Sequence, residues 1–441
     1  MKALILSCGG SSKPLLFCIK HYQPDFIYFL CSNDSVDIAR DIAEESNIDK
    51  DNFAIKVVSN HQSLEDSFAK SREIILELQK EYGEIHVDFT GGTKPMVSGL
   101  VLAAIGEECT YSYVGTENID GRDKQGLGIV IDGFEQIKNQ RDPYDVFAVM
   151  EFNRGMDFFN KYQFEAAKTN FTQASEKLES ENLIELANLY KELVDVYQLW
   201  DKFKNTKGKK LTLNNIFNNI LKLICNSDNI KNHLMDNFPD FIPQIRLNKE
   251  FLDLKLSREG RIKPENVKYY LPDLLNNSLR RIEEGKYDDA VARLYRSIEL
   301  IAQMSLTEMG IINKNNLWGN AGFSINVLDV ESKFELDDDS LYSLNDYEKA
   351  KENGNTTFGL ALKNSYILLS YLDSQFAKDY LNDDEIQYNL RLRNVSILAH
   401  GLKAISRENA ENLYSQVFKY AKIAFPEIEK YMEMSKFPKF E

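Results

Sequence analysis

The stretch DFTGGTKPM, residues 88–96, decides the fold of the N-terminal part of the chain. It joins an apolar run at 85–90, predicted as a strand, to a segment of helical periodicity at 94–105. The same alternation fills residues 1–140, with further strands predicted at 2–7, 26–32, 53–59, 109–114 and 128–132 and further helices at 35–45 and 63–82. This pattern predicts a Rossmann-like α/β domain with a mostly parallel sheet, whose ligands bind where strands end and helices begin.

A second loop of the same kind, SCGGSSKP at residues 7–14, follows the first predicted strand. Both loops combine two glycines with hydroxyl side chains and a lysine at a strand-to-helix junction. Glycines let the backbone approach a ligand, a helix N-terminus favours negative charge, and the lysine adds a cation, so the loops predict phosphate binding. Taken singly, each loop can also be interpreted as a tight turn without a ligand. Neither has the spacing GxxxxGK[ST] or GxGxxG, which disfavours ordinary nucleotide hydrolysis and hydride transfer.

The two loops resemble those of the CARF domain of CRISPR-associated proteins. This resemblance implies a homodimer that binds cyclic oligoadenylate across its two-fold axis, and we expect cyclic tetra-adenylate rather than hexa-adenylate. The hydroxyls of Ser11, Ser12, Thr90 and Thr93 are expected to lie where a ribose is held in line for 2′-attack, so the domain is expected to degrade its activator slowly. The implied activator-binding residues are Gly9, Gly10, Ser11, Ser12, Lys13, Thr90, Gly91, Gly92, Thr93 and Lys94.

After about residue 143 the strand signals fade and helical periodicity dominates. Residues 152–177 are typical of one tetratricopeptide-like helical hairpin without a second copy. The polar, lysine-rich stretch 205–270 is predicted to be connector or loop, 311–356 an irregular insertion, and 432–441 a tail. Strong amphipathic helices are predicted at 290–306 and 385–405. The predicted domains are 1–140 for ligand sensing, 141–270 as a helical connector, and 271–441 as an all-α domain.

The second informative segment carries Arg393, Asn394 and His400. On one helix, Arg393 and His400 would be two turns apart, with side chains on the same face roughly 10 Å apart along the axis. Histidine moves protons near neutral pH and arginine pairs with phosphoryl oxygens, so the two suit metal-free RNA cleavage by the ribose 2′-hydroxyl. A histidine near a helix end is, however, also commonly a packed or capping residue.

The pattern Arg-Asn-x5-His resembles the RxxxxxxH motif of HEPN ribonucleases, and residues 287–304 resemble their first long helix. The order CARF, helical connector, HEPN is similar to the ancillary ribonucleases of type III CRISPR systems. This resemblance implies an endoribonuclease that cleaves single-stranded RNA in antiviral defence, with Arg393, Asn394 and His400 of both subunits lining one cleft. The implied products are a 2′,3′-cyclic phosphate and a 5′-hydroxyl end. Arg296 and Glu299 are expected to form a structural ion pair.

Composition sets further limits. The formal charge of −15 argues against broad, unspecific adhesion to nucleic acid, and the five scattered cysteines indicate neither a disulfide framework nor a zinc site. No cofactor, metal or membrane is expected, and the absence of a signal pattern or long apolar run predicts a cytoplasmic protein. A non-catalytic, nucleotide-responsive adaptor stays the alternative to a ribonuclease. A transcriptional regulator is disfavoured because no basic recognition helix is evident.

Overall fold

The structure is a computed structural model that describes residues 1–118, 120–122, 130–207, 211–256, 264–311, 324–326, 330, 344–372, 374–394, 396–397 and 401–441. These residues divide into two compact units. The first comprises Met1–Glu151 and Glu176–Leu183, and the second comprises Phe152–Ser175 and Ile184–Glu441. The predicted domain boundaries at 140 and 270 stay predictions.

The first unit is an α/β structure. It contains strands β1 (Lys2–Ser7), β2 (Phe26–Cys31), β3 (Phe53–Val57), β4 (Glu84–Asp88), β5 (Cys109–Gly115) and β6 (Gln136–Gln140), and helices α1 (Lys13–Tyr22), α2 (Val36–Glu45), α3 (Leu64–Leu78), α4 (Lys94–Ala104) and α5 (Pro143–Val146). The strands form one sheet in the order β3-β2-β1-β4-β5-β6. All neighbouring pairs are parallel except β5 and β6, which are antiparallel. The predicted Rossmann-like sheet is therefore confirmed.

The central strands are buried on both faces because their apolar residues are continuous. In β1, Leu4 and Leu6 pack into one hydrophobic cluster, while Ala3 and Ile5 pack into the other. Successive residues of a strand point to opposite faces, so an unbroken apolar run supplies a core on each side of the sheet. Helices cover both clusters, as the alternating sequence pattern predicted.

The last predicted strand is wrong. Residues 128 and 129 of the predicted strand 128–132 lie outside the described residues, and Val130 forms only an isolated bridge with Arg122. The sheet is completed instead by β6, which reads QIKNQ and packs only Ile137 against the core. Such an edge strand lacks the apolar run on which the prediction depended.

The second unit is helical. In the described residues after α5 the helices are α6 (Val149–Asn160), α7 (Phe164–Lys177), α8 (Glu181–Asp201), α9 (Leu213–Asn226), α10 (Asp228–Asn237), α11 (Phe241–Lys255), α12 (Tyr270–Glu283), α13 (Tyr287–Glu308), α14 (Asn345–Glu352), α15 (Leu362–Tyr371), α16 (Gln375–Leu381), α17 (Asp384–Asn394), α18 (Arg407–Ala424) and α19 (Ile428–Met434). Short strands pair as β7 (Thr206–Lys207) with β8 (Leu211–Thr212) and as β9 (Ser324–Asn326) with β10 (Thr357–Gly359). The predicted fold class, α/β followed by all-α, is confirmed.

For the stretch 205–270, predicted to be connector or loop, the expectation of loop is wrong over most of its length, because α9, α10 and α11 lie within it. In α9, Leu213, Phe217, Ile220 and Ile224 are buried, at spacings of three or four residues that place them on one helix face. The asparagines and lysines that suggested a loop occupy mainly the exposed face. Average polarity over the stretch concealed a narrow but regular apolar stripe.

The C-terminal segment is not a tail either. Phe437 and Phe440 are 8% and 7% exposed, and both belong to the main hydrophobic cluster of the second unit. The backbone of Phe440 is held by Asn160, whose Oδ1 accepts from the Phe440 N–H at 2.8 Å and whose Nδ2 donates to its carbonyl at 3.0 Å. These contacts join residues 280 positions apart in sequence, so no local pattern could have indicated them.

Among the described residues, no helix is both long enough and apolar enough to cross a membrane.

Candidate functional sites

The two glycine-rich loops of the first unit lie at the same edge of the sheet. β1 and β4 are parallel neighbours with Leu6 opposite Asp88, so the loops that follow them emerge side by side. Their backbones touch: a Cβ on Gly9 would lie 2.7 Å from the backbone nitrogen of Gly92. The Ser7 hydroxyl also donates to the carbonyl of Gly91 at 2.5 Å. The structure therefore brings the two predicted loops together.

The glycines of these loops serve different purposes. Gly9 and Gly91 are needed because any side chain would collide with the backbone of the opposite loop, and Gly92 has a φ of +93°, which favours glycine. Gly10 is exposed, and a Cβ built on it would meet nothing within 4 Å. Close packing thus explains Gly9 and Gly91, the positive φ explains Gly92, and Gly10 is left unexplained.

The threonines of the second loop are engaged in holding it. Thr90 Oγ1 accepts from the Val114 N–H at 2.7 Å, which fixes the loop to the end of β5. Thr93 is the N-cap of α4, where its Oγ1 accepts from the Met96 N–H at 3.4 Å and donates to the carbonyl of His61 at 2.6 Å. Both hydroxyls therefore have structural partners, whereas Ser12, the N-cap of α1, makes no side-chain capping bond.

Asp88 holds the second loop in place through a hydrogen bond from the loop's backbone, a role that sequence reasoning missed. Its side chain is fully buried, and it accepts from the Thr90 N–H at 3.1 Å and from the Ser112 hydroxyl at 2.6 Å. Burial raises the pKa of this carboxyl, although the hydrogen bonds from Ser112 and Thr90 oppose that rise. The available signal was a lone carboxylate at the end of an apolar strand, directly before the Gly-Gly turn.

A chain of polar groups continues from Asp88 along the sheet. Ser112 also contacts His86 Nε2 at 2.9 Å, and His86 Nδ1 lies 2.6 Å from the Thr110 hydroxyl. Burial, with a smaller contribution from nearby His21, lowers the pKa of His86 to about 4, so the imidazole is neutral near pH 7. A neutral histidine with two hydroxyl partners anchors strands β4 and β5 rather than transferring protons.

Each loop also presents a lysine at the start of a helix. Lys13 and Lys94 are the first residues of α1 and α4, and each is followed by a proline. Both are exposed. Lys13 pairs with Asp132, and this hydrogen bond raises the pKa of the lysine. The two cations and the N-terminal ends of two helices therefore lie beside the joined loops, an arrangement that favours an anionic ligand.

In the second unit, Arg393 lies in the last turn of α17 and stacks on an aromatic ring. Its guanidinium carbon is 4.5 Å from the ring centroid of Tyr295, which belongs to α13. Its Nη1 donates to Asn394 Oδ1 at 3.3 Å. The structure thus places the Arg393 guanidinium against Asn394 and against the ring of Tyr295, a residue to which the sequence analysis gave no role.

An acidic residue shares this environment. Glu299 pairs with Arg296 at 3.3 Å, as expected from the sequence. Burial raises the pKa of Glu299, and the nearby guanidinium groups of Arg296 and Arg393 limit that rise. Burial likewise raises the pKa of Tyr295. The side of α13 that faces Arg393 is therefore a half-buried mixture of aromatic and charged groups.

The predicted helix 385–405 is wrong beyond Asn394. α17 ends there, Ser396 bridges Lys403, and the Gly401 N–H donates to the carbonyl of Ser396 at 3.1 Å. The argument that Arg393 and His400 are two turns apart on one helix therefore does not apply. His400 itself lies outside the described residues, and its proposed role stays a prediction from the sequence.

In the part of the chain that the structure describes, no group of three or more His, Cys, Asp or Glu side chains could hold a metal ion.

Comparison with known proteins gives one family match. Residues 259–424 match the family model described as the Csm6 HEPN domain. No curated protein matches the chain.

Three solved structures resemble the chain at low sequence identity. Enterococcus italicus Csm6 bound to cyclic hexa-2′-fluoro-hexa-dAMP is 13% identical, with a TM-score of 0.46 over 99% of this chain and 98% of that one. Can2 from Sulfobacillus thermosulfidooxidans in complex with cyclic tetra-adenylate is 10% identical, with a TM-score of 0.24 over 57% and 67%. A type III CRISPR defence DNA nuclease activated by cyclic oligoadenylate is 12% identical, with a TM-score of 0.24 over 46% and 34%.

The helical segment that carries Arg393 is thus the one that the family model recognises, and it follows an α/β unit with a Rossmann-type strand order. Residues 259–424 are therefore similar to the Csm6 HEPN domain, and this match covers less than half of the chain.

Proposed function

We propose that this protein is a metal-independent endoribonuclease that cleaves single-stranded RNA in type III CRISPR defence when cyclic oligoadenylate binds to its N-terminal domain. The match of residues 259–424 to the Csm6 HEPN family supports a ribonuclease. The observation that carries the sensing function is the pair of glycine-rich loops in backbone contact, with a lysine and a helix N-terminus on each. The protein acts in the cytoplasm, with a sensing domain at 1–140, a connector at 141–270 and the ribonuclease domain at 271–441.

The proposed activator site comprises the ten residues predicted from the sequence, and these residues have two different roles. Lys13, Lys94 and the backbone N–H groups around Gly10, Ser11 and Ser12 contact phosphates, because these groups are exposed or lie at a helix start. Gly9, Gly91, Gly92, Thr90 and Thr93 shape the loops, since their contacts are with the protein itself. The activator crosses the two-fold axis of a homodimer, so that both copies of each lysine face one ring.

In the proposed cleavage step the ribose 2′-oxygen attacks the adjacent phosphorus while the bond from phosphorus to the 5′-oxygen breaks. A proton leaves the 2′-hydroxyl and another reaches the departing 5′-oxygen, and His400 carries out one of these transfers. Arg393 stabilises the phosphorane charge, and Asn394 positions the scissile group. The products are a 2′,3′-cyclic phosphate and a 5′-hydroxyl end, and no metal ion takes part in the step.

The decisive experiment measures cleavage of a fluorescent single-stranded RNA in EDTA, with cyclic tetra-adenylate, cyclic hexa-adenylate or no activator. We expect cleavage only with activator, and cyclic tetra-adenylate is the expected ring size. The variant His400→Ala should lose cleavage and keep activator binding, whereas Lys403→Ala serves as a nearby control. If a folded dimer is silent with every ring size, the adaptor interpretation replaces the ribonuclease.

Slow degradation of the activator by the N-terminal domain is part of the same proposal. Thr90 and Thr93 already have hydrogen-bond partners, so the hydroxyls available to hold a ribose are those of Ser11 and Ser12. The test incubates the full-length His400→Ala variant with cyclic oligoadenylate and separates cyclic from linear products. Persistence of the intact ring over many hours, with binding demonstrated, would exclude this activity.

A further inference from the structure

A cavity with three cationic side chains in its lining lies in the helical unit and shares no residue with the Arg393 site. Its volume is about 280 Å³. It is formed by the turn between α6 and α7, one face of α12 and the C-terminal segment. The lining residues are Tyr162, Asn276, Leu279, Arg280, Glu283, Lys436, Phe437 and Lys439.

The walls of this cavity are fixed by side chains that bind the C-terminal backbone. Asn276 Nδ2 donates to the carbonyl of Met432 at 2.6 Å and to the Ser435 hydroxyl at 2.8 Å. Asn248 Nδ2 donates to the carbonyls of Met434 at 2.9 Å and Lys436 at 2.6 Å. The cavity is therefore preorganised, because its cationic residues are held on a segment with repeated backbone anchors.

Arg280 is the deepest charged residue of the lining, and its hydrogen bonding is incomplete. The residue is 3% exposed, and its Nε donates to Asp201 Oδ1 at 2.8 Å. Asp201 also binds Arg281 and the Nδ2 of Asn277, so one carboxylate is shared among several donors. Within the described residues, Arg280 Nη2 is buried and has no hydrogen-bond partner. An unsatisfied donor on a buried cation is costly.

The rest of the lining adds to the positive character. Lys436 and Lys439 are more exposed, with side chains 58% and 37% accessible, and they contribute two more cations to the cavity wall. Lys436 also pairs with Glu433. Glu283 is the one carboxylate of the lining, and it lies 3.8 Å from Lys439. Three cationic groups against one carboxylate stand out in a chain whose formal charge is −15.

Aromatic residues complete the cavity. The guanidinium carbon of Arg280 lies 3.8 Å from the ring centroid of Phe437, so the arginine packs against this ring. Lys439 Nζ lies 5.9 Å from the ring centroid of Tyr162. A guanidinium and two ammonium groups in the lining of one cavity can together recognise phosphoryl oxygens, because arginine offers directed donors and lysine adds compact charge.

We propose that this cavity binds a small phosphate-bearing anion, with Arg280 at its base and Lys436 and Lys439 at its opening. The cavity holds a phosphate group and part of the molecule that carries it. Binding orders residues 432–441 further, since the ligand bridges this segment and α12. The site is independent of the activator loops and of the proposed ribonuclease chemistry.

The test is hydrogen exchange by mass spectrometry on the full-length protein, with inorganic phosphate or adenosine 5′-monophosphate added at constant ionic strength. A Lys13→Gln/Lys94→Gln background suppresses phosphate binding at the activator loops. We expect saturable protection of peptides covering 158–164 and 432–441. Inorganic phosphate alone giving this protection assigns the site to the free anion, and protection at lower concentrations of the nucleotide assigns it to a phosphate monoester.

Variants decide whether the proposed residues are responsible. In the same background, Lys436→Gln/Lys439→Gln should lower the affinity for the protecting ligand about tenfold or more, because two charge-assisted contacts are lost. The control Lys422→Gln/Lys430→Gln removes two other lysines of the C-terminal region, one of which also lies 3.8 Å from a carboxylate. No protection with either ligand, or equal affinity in both double variants, overturns the proposal and leaves the cavity to water.

Discussion

Replacing Phe440 with alanine should destabilise the helical unit severely, although Phe440 is the penultimate residue of the chain. Its ring is surrounded by other aromatic rings at centroid distances between 4.4 and 6.5 Å. These neighbours are Phe241, Tyr190, Phe159, Phe238 and Phe171. Truncation would remove the common centre of this cluster.

The magnitude follows from the burial. Phe-to-Ala changes in packed cores cost about 3–5 kcal/mol, because transfer free energy is lost and a cavity remains. The two hydrogen bonds between Asn160 and the Phe440 backbone survive the substitution, so the lower half of that range, about 3–4 kcal/mol, is expected. Phe440→Leu should cost less than about 1.5 kcal/mol, since it keeps most of the apolar volume.

Urea unfolding followed by tryptophan fluorescence measures this change. Trp200 is fully buried beside Phe437, and replacing Trp318, the other tryptophan, with phenylalanine makes the emission specific to Trp200. The midpoint should fall by about 1 M or more in Phe440→Ala. Glu441→Ala, at the exposed last position, should stay within about 0.5 kcal/mol of the parent. A loss below about 1 kcal/mol in Phe440→Ala would refute the assignment of residues 432–441 to the core.

Three further predictions concern the sites. Gly10→Ala should fold with parental stability, because a Cβ there meets nothing within 4 Å, and it should weaken activator binding in a titration. The control Gly83→Ala, at an equally open glycine, should change neither the stability nor the binding. Unchanged affinity in Gly10→Ala would mean that the activator does not approach Gly10. Because its pKa is lowered to about 4, His86 binds fewer protons in the folded than in the unfolded chain between about pH 6.5 and 4. Its stabilising contribution is therefore complete above that pH window and is lost as the pH falls through it. Unfolding measured from pH 7 to 4 should therefore show a steeper loss in the parent than in His86→Gln, and parallel curves would contradict the burial of a neutral imidazole. Tyr295→Leu should lower the rate of activated RNA cleavage several-fold, up to about thirtyfold, because Arg393 loses the ring against which it packs. Tyr295→Phe keeps the ring and should keep the rate. Equal rates in both variants would show that Tyr295 does not position Arg393.

The sequence predicted best where structure is local and periodic. The apolar runs of β1 to β5 and the amphipathic stripe of α13 are visible in short windows, and all of them form the predicted elements. Prediction failed where the decisive partner is distant. Phe440 depends on Asn160, and Asp88 depends on Ser112 of the neighbouring strand, contacts that no window of ten or twenty residues contains.

The site residues divide in the same way. The glycine-rich loops could be found because their chemistry is concentrated in two short stretches, and adjacency of β1 and β4 then brought them together. The environment of Arg393 could not be predicted, since Tyr295 and Arg393 are on different helices and the helix expected to continue to 405 ends at Asn394. After Asn394, Ser396 forms a bridge with Lys403, a pairing that amphipathic periodicity alone does not reveal.

The engaged threonines also change what the proposed activator site can discriminate. Because the hydroxyls of Thr90 and Thr93 bond to Val114, His61 and Met96, the groups left for a ligand are the Ser11 and Ser12 hydroxyls, which are proposed to hold a ribose, together with backbone donors and the two lysines. Backbone N–H groups and ammonium groups recognise phosphate oxygens and carry no information about the base. Under the proposed function, ring size would therefore be read as the spacing between phosphates across the dimer, and adenine would be selected by residues other than the ten of the two loops.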